Sequence, residues 1–272
     1  MKRVLKKQNE KKASCSEFYR ILLKVNNFNE VKIKTIFLAI LTLGFIFTSC
    51  EDDDLHLVPS DKITTEEISV SAFNKLDVSN MFQVSVTFSD EEESVLVESN
   101  ENLHAVIELT QQGDKLYIDL SDNTTISGSP ILKVYIKTAT LNEVEAEGAA
   151  VVTFHNKLIA SSLELELEGA SIFNGMLELD ELYVDILGAS VLNLTGNSNV
   201  FDIDAEGASV VTGFGFSTND LISNLNGASN ISLTVNETLN VTASGASNVY
   251  YKGSVVIESQ NLSDTSEITK VD

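Results

Sequence analysis

Acidic residues recur at a regular interval in this chain, and side chains brought together by that interval could support chemistry. A first series comprises Glu145, Glu166, Asp185 and Asp204, and a second comprises Glu147, Glu168 and Glu206, interrupted by Leu187. If the chain stacks with this period, neighbours in a series lie about 4.8 Å apart. Their repulsion would then raise carboxyl pKa values or recruit cations. The pattern therefore predicts a solvated acidic face, a weak Ca²⁺ site, or a docking surface for a basic partner.

Other catalytic or metal chemistry has little support in the sequence. The three histidines, His56, His104 and His155, are far apart and lack metal-ligand spacing. Calcium-binding Gly-Gly-x-Gly-x-Asp repeats and the EF-hand loop are absent from the sequence. A polysaccharide hydrolase needs two carboxylates at a defined separation, yet after the acidic segment 51–54 the sequence has no Asp-Asp or Gly-His-Gly cluster of the pectin-cleaving type. We therefore expect neither a cofactor nor a catalytic residue.

A Gly-Ala-Ser motif repeats through the region that must position the carboxylates. Successive glycines lie 21, 19, 19, 20 and 18 residues apart, which indicates a solenoid. Each glycine is predicted to turn the chain, because glycine tolerates positive φ and the small residues allow corners to stack. The six predicted corner glycines are Gly148, Gly169, Gly188, Gly207, Gly227 and Gly245.

Apolar and polar residues alternate around each glycine, as in half-buried strands. The positions two residues before the glycine are all apolar, and those three residues before it are all polar. The pattern predicts an all-β, right-handed parallel β-helix with coils of about 20 residues. Antiparallel hairpins in a sandwich are the alternative, although hairpin-type Asn-Gly or Asp-Gly pairs such as Asn226-Gly227 are rare in the array.

The first 49 residues have the features of a lipoprotein signal peptide. Lys32 and Lys34 precede an apolar run, 36–47, that is too short to span a bilayer comfortably. The sequence Phe47-Thr48-Ser49-Cys50 resembles a bacterial lipoprotein box, which would make Cys50 the lipidated first residue. The long, mixed stretch before this signal favours a later translation start, at Val31.

Segments after Cys50 divide into a tether, a domain and a tail. Residues 50–66 are acidic and are predicted to form a tether, and 67–260 to form a single β-helix domain. Within that domain, 67–141 would be irregular N-terminal coils and 142–260 the Gly-Ala-Ser coils, with 261–272 as a C-terminal tail. Acidic residues 51–54 resemble an export tag for the cell surface, so we expect an outer-membrane lipoprotein at the surface, with a periplasm-facing protein as the alternative.

Three features together resemble the auto-transporter adhesin head family, also called the GIN domain. They are the segment 71–78 (Ser-Ala-Phe-Asn-Lys-Leu-Asp-Val), the strand entry 113–118 (Gly-Asp-Lys-Leu-Tyr-Ile) and the ladder of Gly-Ala-Ser motifs. The resemblance covers roughly residues 73–256. It implies a β-helical protein that is secreted or lipid-anchored, with an adhesin label that rests on shape.

The excess of acidic residues after Cys50 limits the kinds of molecule that the chain could bind. Ten of the 18 Lys and Arg residues but three of the 40 Asp and Glu residues precede Cys50, which leaves 8 basic and 37 acidic residues after cleavage. Such an acidic chain repels nucleic acids and anionic lipid headgroups, so membrane attachment is expected through acyl chains.

The sequence therefore favours a non-catalytic, lipid-anchored envelope protein that binds a protein or glycan. A structural spacer and, less favoured, a polysaccharide-active enzyme are the alternatives. Aromatic residues on a flat face would indicate glycan binding; the candidates are Tyr250, Tyr251, Phe214 and Phe216, some of which must be core.

Overall fold

Strands form almost all of the computed structural model, which describes residues 55–272. The predicted signal peptide and Cys50 lie outside the described residues. The strands before the repeat are β1 Leu55–Leu57, β2 Ile63–Ile68, β3 Lys75–Val78, β4 Gln83–Phe88, β5 Ser94–Asn100, β6 Ile107–Gln112, β7 Lys115–Leu120, β8 Thr124–Ile126 and β9 Leu132–Thr138. The later strands are β10 Glu143–Ala146, β11 Val151–Phe154, β12 Leu158–Gly169, β13 Ile172–Gly188, β14 Val191–Gly207, β15 Val210–Gly227, β16 Asn230–Ala243, β17 Asn248–Lys252, β18 Val256–Leu262 and β19 Glu267–Lys270. A 3₁₀ helix, Glu101–Val106, follows β5.

Parallel pairing of successive coils confirms the predicted β-helix. Strands β12 to β16 lie side by side in chain order, each paired in parallel with the next. Gly169, Gly188, Gly207 and Gly227 are direct register partners. Equivalent residues of the repeat therefore stack on one another, as the constant spacing predicts.

The corner glycines are required by backbone contact as well as by backbone angle. Gly207 has φ +107°, and a Cβ atom there would lie 2.2 Å from the carbonyl oxygen of Gly188 in the preceding coil. That same oxygen accepts a 2.7 Å hydrogen bond from the Ala208 amide. A side chain would break this contact, so glycine is the residue that permits both the turn and the stacking.

Two further corners use asparagine or aspartate in place of glycine. Asn80 (φ +63°) stacks beneath Gly148, whose corner contacts the Asn80 carbonyl oxygen. Asp264 (φ +58°) forms the corner after Gly245, and its side chain accepts a hydrogen bond from the Gly245 amide. Asn and Asp tolerate positive φ better than other side chains. Residues 261–272, predicted as a tail, thus include a corner and β19, which pairs with β17.

Coils in the N-terminal part do not stack in chain order. Strands β3 and β4 lie between β10–β11 on one side and β7 and β9 on the other, all in parallel pairs. Beyond them, β2 pairs with β5, β5 pairs with β9 and β6 pairs with β7, each in antiparallel orientation. These antiparallel strands differ from the irregular coils predicted for 67–141, because an open solenoid end must be covered. The predicted tether, 50–66, likewise contains β1 and the start of β2.

Inward-facing side chains form one continuous apolar core. Buried rings pack edge to face along it, with centroid distances of 4.8 Å for both Phe88–Phe154 and Phe154–Phe173. The corner serines, such as Ser171 and Ser247, are also buried, and their hydroxyls donate to the carbonyl oxygens three residues earlier. In the described part of the chain, no helix is long and apolar enough to cross a membrane.

Candidate functional site

The predicted series of carboxylates forms a straight column just before the corners. Glu145, Glu166, Asp185 and Asp204 are successive register partners. Asp77 of β3 extends the column, because it is paired with Glu145 on the other side. We call these five residues the acidic column. Sequence periodicity missed Asp77 because its coil is inserted out of chain order.

Two flanking columns widen the acidic face. Two residues towards the corner, Glu168 and Glu206 lie on either side of Leu187, and Glu147 continues this series in sequence. Two residues in the other direction, Glu143 pairs with Glu164, and Asp202 follows after Tyr183. The second flanking series escaped the sequence analysis, since Tyr183 interrupts it.

Partial burial and mutual repulsion raise the pKa of several carboxyls on this face. Burial, followed by the charge of Glu145, raises the pKa of Asp77 to about 7. Burial and the neighbouring Glu145 also raise the pKa of Glu166, and burial and Asp204 raise that of Asp185. The pKa values of Glu147 and Asp202 are raised in the same way. Adjacent carboxylates thus compete to remain ionised, as the predicted spacing requires.

Lysines neutralise one end of the face. Lys115 contacts Glu145 and lies 2.8 Å from one carboxylate oxygen of Glu143, and Lys75 lies 3.0 Å from the other oxygen of that carboxylate. Although burial opposes it, these hydrogen bonds lower the pKa of Glu143 and raise that of Lys115 above its ordinary value. The ion pairs shown on this face all involve Lys75 or Lys115. The other end, from Glu166 to Asp204, therefore presents uncompensated negative charge.

Two shallow grooves run between the outward side chains at this uncompensated end. One, about 180 Å³, is lined by Glu164, Glu166, Tyr183, Asp185, Asp202 and Asp204. The second, about 400 Å³, includes Asp185, Leu187, Asp204, Glu206, Asn224 and Asn226. Both grooves offer hydrogen-bond acceptors to a cationic or donor-rich ligand. Among residues 55–272, no group of three His, Cys, Asp or Glu side chains is placed to hold a metal ion.

The strand after each corner carries a different outward column. Thr153, Asn174, Asn193, Thr212 and Ser232 are successive register partners, and we call them the neutral column. The Asn174 amide donates to the Thr153 hydroxyl over 3.1 Å, and the Asn193 amide donates to the Asn174 side-chain oxygen over 2.9 Å. Thr212 in turn donates to Asn193. From Thr153 to Thr212, these side chains therefore satisfy one another along the stack.

The remaining candidates are scattered or divided between core and surface. His104 lies near Thr64 and Glu66 in the N-terminal part, and the structure does not bring it together with His56 and His155. Phe216 and Tyr251 are core residues, 0% and 8% exposed, whereas Phe214 and Tyr250 are 41% and 36% exposed. Alternation in sequence separates Tyr250 from Tyr251, but it places Phe214 and Phe216 on the same side of a strand. It therefore could not show that Phe214 faces outward.

Comparison with known families gives one match that covers most of the chain. The family described as "Putative auto-transporter adhesin, head GIN domain" matches residues 72–254. That range spans the described solenoid from β3 to β17. Among curated protein sequences, none matches the chain.

Solved structures with the same fold include proteins from Bacteroides and Parabacteroides species. A "putative adhesin" from Bacteroides fragilis has a TM-score of 0.70 at 20% identity, with 79% of this chain and 98% of that chain covered. Another, from Parabacteroides merdae, has a TM-score of 0.65 at 16% identity, with coverage of 80% and 99%. A "putative lipid binding protein" from Parabacteroides distasonis has a TM-score of 0.63 at 16% identity, with coverage of 80% and 100%. At these identities the likeness concerns the fold.

Proposed function

The chain belongs to the GIN-domain family of auto-transporter adhesin heads, and on that premise we propose that it is a non-catalytic adhesion module of the cell envelope. Its binding surface is the acidic face, and its partner is a protein surface rich in lysine and arginine. The observation that supports this proposal best is the register of the acidic column, where Glu166, Asp185 and Asp204 stack on one another. Within residues 55–272, the lysine ion pairs of this face lie at its other end, on Glu143 and Glu145. A rigid β-helix holds these carboxylates in place before any partner arrives.

Electrostatics favour a basic partner over an isolated ion. Two unit charges about 4.8 Å apart repel by about 1 kcal/mol in water and about 3 kcal/mol at an effective dielectric constant of 20. Lysine or arginine side chains placed between rungs would relieve this repulsion and donate charge-assisted hydrogen bonds. Ca²⁺, the other cation expected from the sequence, would need several oxygen ligands converging on one point. A straight column with outward side chains suits an extended row of cations better.

Attachment to the envelope is proposed to occur through lipid on Cys50, at the cell surface of the outer membrane. The lipoprotein-like box at 47–50 and the acidic residues at 51–54 support this location. Several acyl chains hold a protein firmly, where one alone would bind reversibly. Incorporation of labelled palmitate that is lost in Cys50→Ala, together with protease accessibility on intact cells, would test the anchor and the surface location separately.

Adhesion to a cationic surface tests the proposed binding face. Cells that display the full chain, or the triple variant Glu166→Gln, Asp185→Asn, Asp204→Asn, are applied to poly-lysine-coated beads across a salt series. The matched control, Asp90→Asn, Glu91→Gln, Glu93→Gln, removes three charges from the exposed loop before β5. We expect roughly 10-fold weaker adhesion for the column variant, and wild-type adhesion for the control. Equal losses would show that net charge alone matters and would overturn the proposal.

A further inference from the structure

A local irregularity places an aromatic ring on the outside of the rod. The coil that contains β15 is longer than its neighbours, since Gly207 and Gly227 lie 20 residues apart, against 19 for the coil before it and 18 for the coil after it. The pairing of β15 with β16 shifts register between Gly213 and Ser217. Phe214, in the middle of this bulge, is 41% exposed, whereas Phe216 packs against Phe201 in the core. Bulges commonly redirect a side chain at functional sites.

The exposed ring lies beside Lys252, which differs from most of the other lysines in the described part of the chain. Six of the eight lysines in residues 55–272 form ion pairs with carboxylates: Lys62, Lys75, Lys115, Lys133, Lys137 and Lys157. The Nζ atom of Lys252 instead lies 5.2 Å from the centroid of the Phe214 ring. At an exposed site this cation–π contact contributes about 0.5–1 kcal/mol. A carboxylate ligand could therefore draw Lys252 away at little cost.

Hydroxyl groups and a second aromatic ring surround this pair. Tyr250, 36% exposed, points to the same side of β17 as Lys252. The register partners of these two residues are Ser232 and Thr234. The Thr234 hydroxyl donates over 3.0 Å to the backbone oxygen of Phe214, which holds the bulge in place. The patch thus combines two ring faces, one ammonium group and nearby hydroxyls on a preformed surface.

We propose that Phe214, Tyr250 and Lys252, the aromatic–lysine patch, form a subsite for a carboxylated sugar of a glycan. A pyranose ring presents C–H groups that pack on aromatic faces, and its hydroxyls can bond to Ser232 and Thr234. Lys252 supplies the charge complement to the sugar carboxylate, as a charge-assisted hydrogen bond. The patch lies on the strand after the corner, and the acidic column lies on the strand before it. It is thus a second binding surface, independent of the proposed docking of a basic partner.

Binding of defined oligosaccharides by the purified chain tests this subsite. The probes are trigalacturonic acid, 3′-sialyllactose and a neutral galactose trisaccharide, titrated by NMR or calorimetry. We expect the wild-type chain to bind an acidic probe more tightly than the neutral one, and the two acidic probes distinguish a uronate from a sialate ligand. Phe214→Ala should weaken acidic-probe binding at least 10-fold. Lys252→Gln should remove the preference for acidic probes.

Met176→Ala is the matched control, because Met176, two coils earlier, follows its corner glycine by the same number of residues as Phe214 does and is 44% exposed. Melting temperatures show whether each variant is folded. Absence of acidic-probe binding to the wild type, or binding unchanged in Phe214→Ala, would overturn the subsite. If the subsite is wrong, the wild-type chain should still adhere to poly-lysine, so the two proposals can fail separately. The triple variant of the acidic column should bind the acidic probes at least as well as the wild type.

Discussion

The acidic column and the neutral column have the same backbone geometry and opposite side-chain energetics. Each is a row of outward residues in parallel register, one just before the glycine corners and the other just after them. In the neutral column, amides and hydroxyls both donate and accept, so Asn174 and Asn193 bond to their neighbours along the stack. Ionised carboxylates accept only, so stacked carboxylates repel one another. Stacking like residues therefore stabilises one face and stores repulsion on the other.

This difference indicates which face is available for binding. From Thr153 to Thr212, hydrogen bonds within the neutral column use the donors and acceptors that a partner would need. The carboxylates from Glu166 to Asp204 keep unused acceptor capacity, and a cationic partner would lower their free energy. Adding a carboxylate to the neutral column should therefore lower the free energy of unfolding. Removing a carboxylate from the acidic column should raise it.

Disrupting the corner that joins the two columns should have the largest effect. Gly207→Ala would hold an alanine at φ +107° and place its Cβ atom 2.2 Å from the Gly188 carbonyl oxygen. Because both the backbone angle and this contact are unfavourable, we expect a loss of roughly 3 to 5 kcal/mol in unfolding free energy. Gly128→Ala is the control, since Gly128 has φ +88° but open space around it. It should lose about 1 to 2 kcal/mol from backbone strain alone. Urea denaturation measures both, and equal losses would show that the contact between coils is unimportant.

Introducing a carboxylate into the neutral column should have the next largest effect. Asn193→Asp replaces the amide that donates to Asn174 with an acceptor, so two oxygens would face each other. We expect a loss of about 1 to 2 kcal/mol in unfolding free energy at pH 7. Measurement at about pH 3.5 is the internal control, because the introduced carboxyl group can donate a hydrogen bond once it is protonated. A loss that persists unchanged at low pH would contradict this explanation.

The raised pKa of Asp77 predicts that ionisation of this carboxyl group destabilises the folded protein as pH rises. Its pKa is about 7 in the folded protein and near 3.8 when unfolded, so its contribution to stability is lost as pH rises from about 4 to 7. Asp77→Asn should raise the melting temperature by about 2–4 °C at pH 8, which corresponds to about 1 kcal/mol after solvent screening, and should change it little at pH 4. Glu143→Gln should behave oppositely, because its lowered pKa means that the wild-type carboxylate stabilises at neutral pH and loses this effect as pH falls. Parallel pH profiles for the two variants would refute the assignment.

Relieving one charge within the acidic column should give the smallest effect. Asp185→Asn removes repulsion with Glu166 and Asp204, its partners on either side. We expect a gain of about 0.5 kcal/mol at low ionic strength, measured by urea denaturation. In about 1 M salt the gain should disappear, since screening acts on exposed charges within a few ångströms. A destabilising effect at both salt concentrations would mean that Asp185 makes favourable contacts of its own.

Short-range patterns explain how much of the site could be predicted. Register partners in a solenoid lie one coil apart, so the sequence interval places Glu145, Glu166, Asp185 and Asp204 together. The same argument failed for Asp77, which lies 68 residues before Glu145, because the intervening coil and cap strands interrupt the interval. It also missed the corners at Asn80 and Asp264, where the glycine signal is replaced by residues that tolerate the same φ.

Local features of the sequence were enough to predict the coil length, the glycine corners and the series of carboxylates in the acidic column. These features follow from alternation and from backbone angles, which depend on residues close together in the chain. Tertiary structure alone decided that β3–β4 lies between coils later in the chain, that antiparallel strands cover the N-terminal end, and that Phe214 faces outward while Phe216 is buried. Those outcomes depend on which distant segments compete to cover an open end or to fill a core, and local periodicity carries no record of that competition.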